Sequence, residues 1–172
     1  MRLFIAIGFT PAFRQAVWQT AQDLHRQLGA GQLTPPENLH LTLAFLGETD
    51  RLSEIRQAMS SIQAPPLTLS LQDIGAFSQK GQALYWVGLE KNPALEELAQ
   101  ALENQLWQRG FDLPSRAFSP HITLIRRAPL GKKPQVSVPA AHMTANRISL
   151  MRSERKNGRM VYTEIFKHPL GG

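Results

Sequence analysis

Asn38-Leu39-His40-Leu41-Thr42-Leu43 is the stretch on which the reading of this chain turns. Apolar and polar residues alternate, and turn-forming residues sit just upstream, the mark of a half-buried β-strand. In a strand, residues i and i+2 face the same way, about 6.5–7 Å apart. His40 and Thr42 therefore share one face, and Leu39, Leu41 and Leu43 share the other. The pattern returns 81 positions later as Ser119-Pro120-His121-Ile122-Thr123-Leu124, with Phe118, Ile122 and Leu124 behind the imidazole and the hydroxyl. Two such strands facing one cleft supply two imidazoles and two hydroxyls to a small ligand. A third match, His142-Met143-Thr144, continues as Ala145-Asn146, without the Leu or the apolar flanks, and reads as coincidence.

The 172 residues suit one domain with a sizeable core. Hydrophobic residues make up 42% and charged residues 19%, as in a soluble globular protein. No apolar run approaches the roughly 18 residues of a membrane span, so no membrane association is expected. Leu3-Phe4-Ile5-Ala6-Ile7 is too short for a signal-peptide core and reads as a buried first strand. The absence of Cys excludes disulfides, Fe–S clusters and thiol catalysis, and suits the cytoplasm. The net charge of +6 is unevenly spread. Residues 1–115 carry 8 Lys/Arg against 11 Asp/Glu, whereas residues 116–172 carry 11 against 2. A basic block beside His121 attracts phosphates.

Outward from the first histidine strand, Thr10-Pro11 opens a helix with N-cap and Pro-at-N1 grammar. Phe13, Val17, Ala21, Leu24 and Leu28 form its apolar stripe, Gly29 closes it, and His25 is expected at its surface. Thr34-Pro35-Pro36-Glu37 is a stiff approach to His40, and Gly47 ends that strand. A second helix is expected over Asp50–Ile62, burying Leu52, Ile55, Met59 and Ile62. Strands over 67–77 and 83–90 flank a Gln79-Lys80-Gly81-Gln82 turn. Asn92-Pro93 opens a third helix, with Leu95, Leu98, Leu102 and Leu106 inward and Gly110 after its end. The second histidine strand is expected over about 117–126, and Gln135–Val138 looks strand-like. Strand residues Ile148 and Leu150 precede Asn157-Gly158, the preferred two-residue hairpin turn, which closes onto Val161–Phe166. Strands and helices mix without strict alternation, so the class is α+β. Strand, N-capped helix and histidine strand recur in both halves, which implies two similar lobes facing a shared cleft in a single bilobal domain, 1–172.

Two imidazoles across a cleft suit paired acid–base catalysis near neutral pH. Displacement at phosphorus needs a base for the attacking water and an acid for the leaving oxygen. Thr42 and Thr123 can donate hydrogen bonds to phosphate oxygens, and Arg126 or Arg127 can add a planar charged donor pair. No His-x-His, His-Glu-x-x-His or carboxylate cluster adjoins either strand, so neither a metal nor another cofactor is expected.

His40-Leu41-Thr42-Leu43-Ala44-Phe45-Leu46-Gly47 and Ser119-Pro120-His121-Ile122-Thr123-Leu124-Ile125-Arg126 closely resemble the paired signatures of the two-histidine (2H) phosphoesterases. Within that superfamily the likeness is to the bacterial RNA 2′,3′-cyclic phosphodiesterases, once called RNA 2′–5′ ligases. It extends over nearly the whole chain, from Arg2-Leu3-Phe4-Ile5-Ala6 to the Gly158–Ile165 hairpin strand. The resemblance implies a LigT-like α+β fold: two pseudo-symmetric lobes of mainly antiparallel sheet, with outer helices, around a central cleft. It implies hydrolysis of a terminal RNA 2′,3′-cyclic phosphate to a 2′-phosphate, with 2′–5′ joining or cleavage as a related activity. His40 would be the proton donor and His121 the proton acceptor. Thr42, Thr123 and Arg126 would hold the phosphate, and Phe45 would stack on the terminal base. RNA ends or nucleotides bearing the cyclic phosphate are the expected partners, and no obligatory protein partner is evident.

Two alternatives remain open at this level. One is a non-catalytic RNA-end or nucleotide-binding module. The other is the same chemistry on a different cyclic phosphate, such as ADP-ribose 1″,2″-cyclic phosphate. Phe45 and Arg126 both lie five places after their His. Strict alternation would turn them away from the imidazoles, and a β-bulge would be needed to re-aim them.

Overall fold

Apolar periodicity of 2 and of 3.6 builds nine strands and three α-helices among the residues described by the computed structural model, 1–113 and 118–171. In chain order they are β1 (Arg2–Ile7), α1 (Pro11–Leu28), β2 (Gln32–Leu33), β3 (Leu41–Glu48), α2 (Leu52–Ser60), β4 (Leu67–Gln79), β5 (Gln82–Leu89), α3 (Pro93–Gln108), β6 (His121–Ala128), β7 (His142–Ala145), β8 (Arg147–Lys156) and β9 (Arg159–Pro169). A single 3₁₀ turn, Pro36–Asn38, leads into His40. None of the described helices is long and apolar enough to cross a membrane.

The strands form two antiparallel sheets, β3-β1-β8-β9 and β2-β6-β5-β4-β7. Without the short β2, the two orders correspond position by position. Each begins with a histidine strand, and its neighbour is the strand that precedes the N-capped helix in sequence. This is the duplicated arrangement implied by the recurring pattern, and β3 and β6 approach within 8 Å, Cα to Cα. The helices cross over. α1 follows β1 of the first sheet yet packs on β6 and β2 of the second, whereas α3 follows β5 of the second and packs on β3 of the first. α2 lies against α3 and β9. One continuous apolar cluster results, running from Leu3, Ile5 and Ile7 through Phe13, Val17 and Leu24 to Leu95, Leu102, Ile122 and Leu124.

Local signals match the helices closely. Thr10 Oγ1 accepts from Phe13 N at 3.3 Å, and Gly29, at φ 74°, caps the other end of α1. Asn92 Oδ1 accepts from Leu95 N at 3.1 Å. Both hairpin turns form as read: Lys80-Gly81 and Asn157-Gly158 adopt the consecutive positive φ angles of type I′ turns.

Five findings differ from these expectations. α2 begins two residues late, because Thr49 Oγ1 and Asp50 O take the Arg51 and Leu52 amides into a preceding turn. It also stops at Ser60, so Ile62 is buried just beyond its end. Residues 135–138 are not a strand. The Gln27 side-chain amide of α1 satisfies both backbone groups of Gln135, at 2.8 and 2.6 Å, in place of a ladder partner. An unexpected strand, β7, covers the His142-Met143-Thr144 run and pairs with Leu67–Ser70, with neither His142 nor Thr144 among the residues of the histidine groove. The second histidine strand starts at His121 rather than near 117, after a proline that cannot donate to a ladder, and Ala117 lies outside the described residues. Finally, His25 is half-buried and donates from Nε2 to Gly31 O at 3.1 Å, tying the end of α1 to the loop before β2.

Asn92 also donates from Nδ2 to Thr68 O at 2.7 Å, which links α3 to β4. Asn92→Ala should therefore lower stability by about 1–2 kcal/mol, more than the cap loss in Thr10→Ala. Urea midpoints of the two variants check the order.

Candidate active site

Each imidazole is oriented by the backbone two residues upstream. His40 Nδ1 lies 2.7 Å from Asn38 O, and His121 Nδ1 lies 2.8 Å from Ser119 O. A carbonyl oxygen only accepts, so in both rings Nδ1 carries a proton and Nε2 is left for chemistry. His40 Nε2 is 2.9 Å from Thr42 Oγ1, the i+2 contact anticipated for two side chains on one strand face. Asn38 is itself buried, and its Nδ2 donates to Met160 O of β9 at 2.9 Å, which pins the turn that carries the carbonyl.

Aromatic side chains wall in each histidine. The Phe4 ring centroid lies 4.8 Å from that of His40, and Tyr162 meets the same imidazole edge-on at 5.3 Å. Across the groove, Phe77 meets His121 edge-on at 5.3 Å, with Trp86 at 6.1 Å. Trp86 lies over Gly75, where a Cβ would fall 2.2 Å from its ring. Sequence reasoning missed all four aromatics, since they come from β1, β9, β4 and β5. Glycines inside two strands, Gly75 and Gly88, were the available signal, because a glycine there often marks close approach of another group.

Bulges settle where Phe45 points. In the β1–β3 ladder, Ala6 pairs with Thr42, Ile5 with Ala44 and Phe4 with Phe45, so Leu43 is an inserted residue. Ala6 and Phe4 share a face of β1. Thr42 and Phe45 consequently share a face of β3 with His40, despite the odd spacing. Phe45 is 49% exposed, with the Arg2 guanidinium carbon 4.9 Å from its ring centroid.

The second strand uses the same device. Thr123 pairs with Trp86 and Ile125 with Tyr85, which leaves Leu124 inserted. Leu124 and Ile125 both enter the core, and Arg126 falls on the His121 face. Arg127 sits in the left-handed region at φ 53° as the strand kinks before Ala128 returns to the core. Of the two candidate arginines, Arg126 is the one whose charge is felt at His40 in the other sheet. His40, Thr42, Phe45, His121, Thr123 and Arg126 thus all lie on the inner faces of two strands that meet.

Burial lowers the His40 pKa from its ordinary 6.5, and the Arg126 and Arg14 charges lower it further, against the opposing effect of the Asn38 carbonyl. The resting imidazole is neutral at pH 7, and its Nε2 accepts a hydrogen bond from the Thr42 hydroxyl. An anion between His40 and Arg126 would offset both cationic fields and favour the protonated ring. Surface clefts of about 510 Å³ (beside Asp73 and Pro134) and about 410 Å³ (beside Thr68 and Glu90) are lined by none of these residues. Among the described residues, no three His, Asp or Glu side chains gather as a metal-binding group.

Comparison with known proteins bears on this groove. The sequence profile of the 2′-5′ RNA ligase superfamily matches residues 12–157. An RNA 2′,3′-cyclic phosphodiesterase of Escherichia coli K12 is 37% identical over 134 residues, covering 74% of this chain and 72% of that protein. One of the same name from Geobacillus stearothermophilus is 31% identical over 147 residues, and the match spans 80% of this chain but 47% of that protein. The crystal structure of E. coli LigT complexed with 3′-AMP superposes with a TM-score of 0.87 at 30% identity, covering 99% of this chain and 98% of the other.

Because His40 binds a proton less readily folded than unfolded, the unfolded chain holds the extra proton between the lowered pKa and 6.5. This contribution to stability is complete above pH 6.5 and is lost as pH falls through the folded-state value. NMR titration should place His40 below 6.5, and Arg126→Ala should move it upward. In thermal midpoints measured against pH, His40→Gln should remove this share of the slope.

Proposed function

The chain belongs to the 2′-5′ RNA ligase superfamily, and from that premise we propose that it hydrolyses RNA ends bearing a 2′,3′-cyclic phosphate to leave a 2′-phosphate. Water attacks phosphorus on the His121 side, and His121 Nε2 takes its proton. The P–O3′ bond breaks, and His40 Nε2 protonates the departing O3′. Thr42 and Thr123 donate to the non-bridging oxygens, Arg126 neutralises their charge, and the terminal base stacks on Phe45. The same displacement with a ribose hydroxyl in place of water gives 2′–5′ joining. We take residues 1–172 as one bilobal domain and place it in the cytoplasm, which a chain without Cys suits.

One observation carries the reading: both imidazoles are tied through Nδ1 to a carbonyl, which commits Nε2 of each ring to proton exchange on strands that meet. A binding module would gain nothing from two matched tautomers. The lowered pKa of His40 fits an acid that is charged only when the anionic substrate arrives.

His40→Ala and His121→Ala should each reduce the turnover of an RNA oligomer ending in cyclic phosphate by about 10²–10⁴-fold, with excess chelator present throughout. The remaining activity of His121→Ala depends on His40 alone. Its kcat/KM, which reports the free enzyme, should fall as pH rises through a value below 6.5, since the acid must be protonated. A rise over that window would make His40 the base.

A further inference from the structure

Hydrolysis by water leaves one built feature of the groove unused: the aromatic surface beside His121. Phe77 is half-exposed, its edge against the imidazole, and Trp86 backs it at 5.4 Å between centroids. Space for Trp86 depends on Gly75, and a Cβ at Gly88 would also press on the indole, at 3.3 Å. The indole Nε1 is buried without a hydrogen-bond partner among the described residues, which is uncommon for an indole that serves packing alone. On the opposite sheet Phe4 is sealed at 3% exposure, and the exposed ring there, Phe45 at 49%, is the one assigned to the terminal base.

In-line displacement decides what this wall faces. O3′ leaves from the His40 side and belongs to the nucleoside stacked on Phe45 of the same strand. The attacking oxygen therefore enters from the His121 side, where Phe77 lies. Water carries nothing that could use a π-face, whereas a nucleoside does. We infer that Phe77, supported by Trp86, is the stacking platform for a second nucleoside, one whose 5′-hydroxyl takes the place of water. The 5′-oxygen forms a bond to phosphorus and gives its proton to His121 Nε2. The P–O3′ bond breaks and O3′ is protonated by His40 Nε2, so the product is a 2′–5′ phosphodiester and no further reactant is needed. This site rests on the proposed hydrolysis, which supplies the activated phosphate.

The experiment is a partition measurement. RNA ending in 2′,3′-cyclic phosphate is offered to the enzyme with a 5′-hydroxyl oligoribonucleotide and, separately, with methanol. The products of transfer and of hydrolysis are then counted together. Phe77→Leu keeps an apolar side chain against His121 and removes the π-face. The ratio of nucleoside transfer to hydrolysis should fall about tenfold, while the methanol-to-water ratio stays within about twofold. Phe77→Tyr, which retains the face, should keep both ratios. An unchanged nucleoside ratio in Phe77→Leu overturns the platform, as does a parallel fall in both ratios, which would make Phe77 a support for His121 only. Wild-type enzyme that hydrolyses but never joins also overturns it and leaves the hydrolytic reading standing. An enzyme that opens no cyclic phosphate removes the reading beneath both.

Discussion

A hydrogen bond from each imidazole Nδ1 to a main-chain carbonyl two residues upstream governs the rest of the site. It costs no side chain and relies only on the turn before each strand being held in place. For His40 that hold comes from the one-turn helix at Pro36–Asn38 and from the Asn38 amide bonded to Met160 O. Once Nδ1 is committed, Nε2 is the only atom left to exchange protons, so the ring cannot adopt its other tautomer without losing that hydrogen bond. Two copies of this constraint, on strands that meet, hold both histidines in the same tautomer.

The two sheets hold those copies together by exchanging helices. α1 and α3 each leave one sheet and pack on the histidine strand of the other, so neither sheet buries its apolar face without its counterpart's connection. The core is accordingly continuous behind the groove where β3 and β6 meet. Placement of a cation beside His40 follows from the same geometry. Arg126 belongs to the second sheet, but its field lowers the pKa of an imidazole in the first. Under the proposed reaction, a phosphate bridging the lobes would offset the Arg126 field at His40 and favour the protonated ring.

Much of this was legible locally. Helix caps at Thr10 and Asn92, apolar stripes, type I′ turns and the alternating histidine strands are short-range features, each specified by a few neighbouring residues. The orientation of Phe45 and Arg126 was not legible, because a bulge is defined against the partner strand. Leu43 and Leu124 look like ordinary alternating residues until they are matched to Ile5–Ala6 and to Tyr85–Trp86. Likewise nothing near Gln135 says that Gln27, over a hundred residues away, will take its backbone hydrogen bonds.

The amino-acid order alone determined the α+β class, the lobe pattern, the two His-x-Thr pairs and the chemistry they allow, because these depend on periodicity and on side-chain type. Tertiary structure decided which side chains gather around the imidazoles, which arginine reaches across, and in which direction His40 departs from its ordinary pKa. Those properties arise from burial and from fields between strands remote along the chain. No local pattern encodes them, since proximity and dielectric environment exist only once the two sheets have closed on a common core.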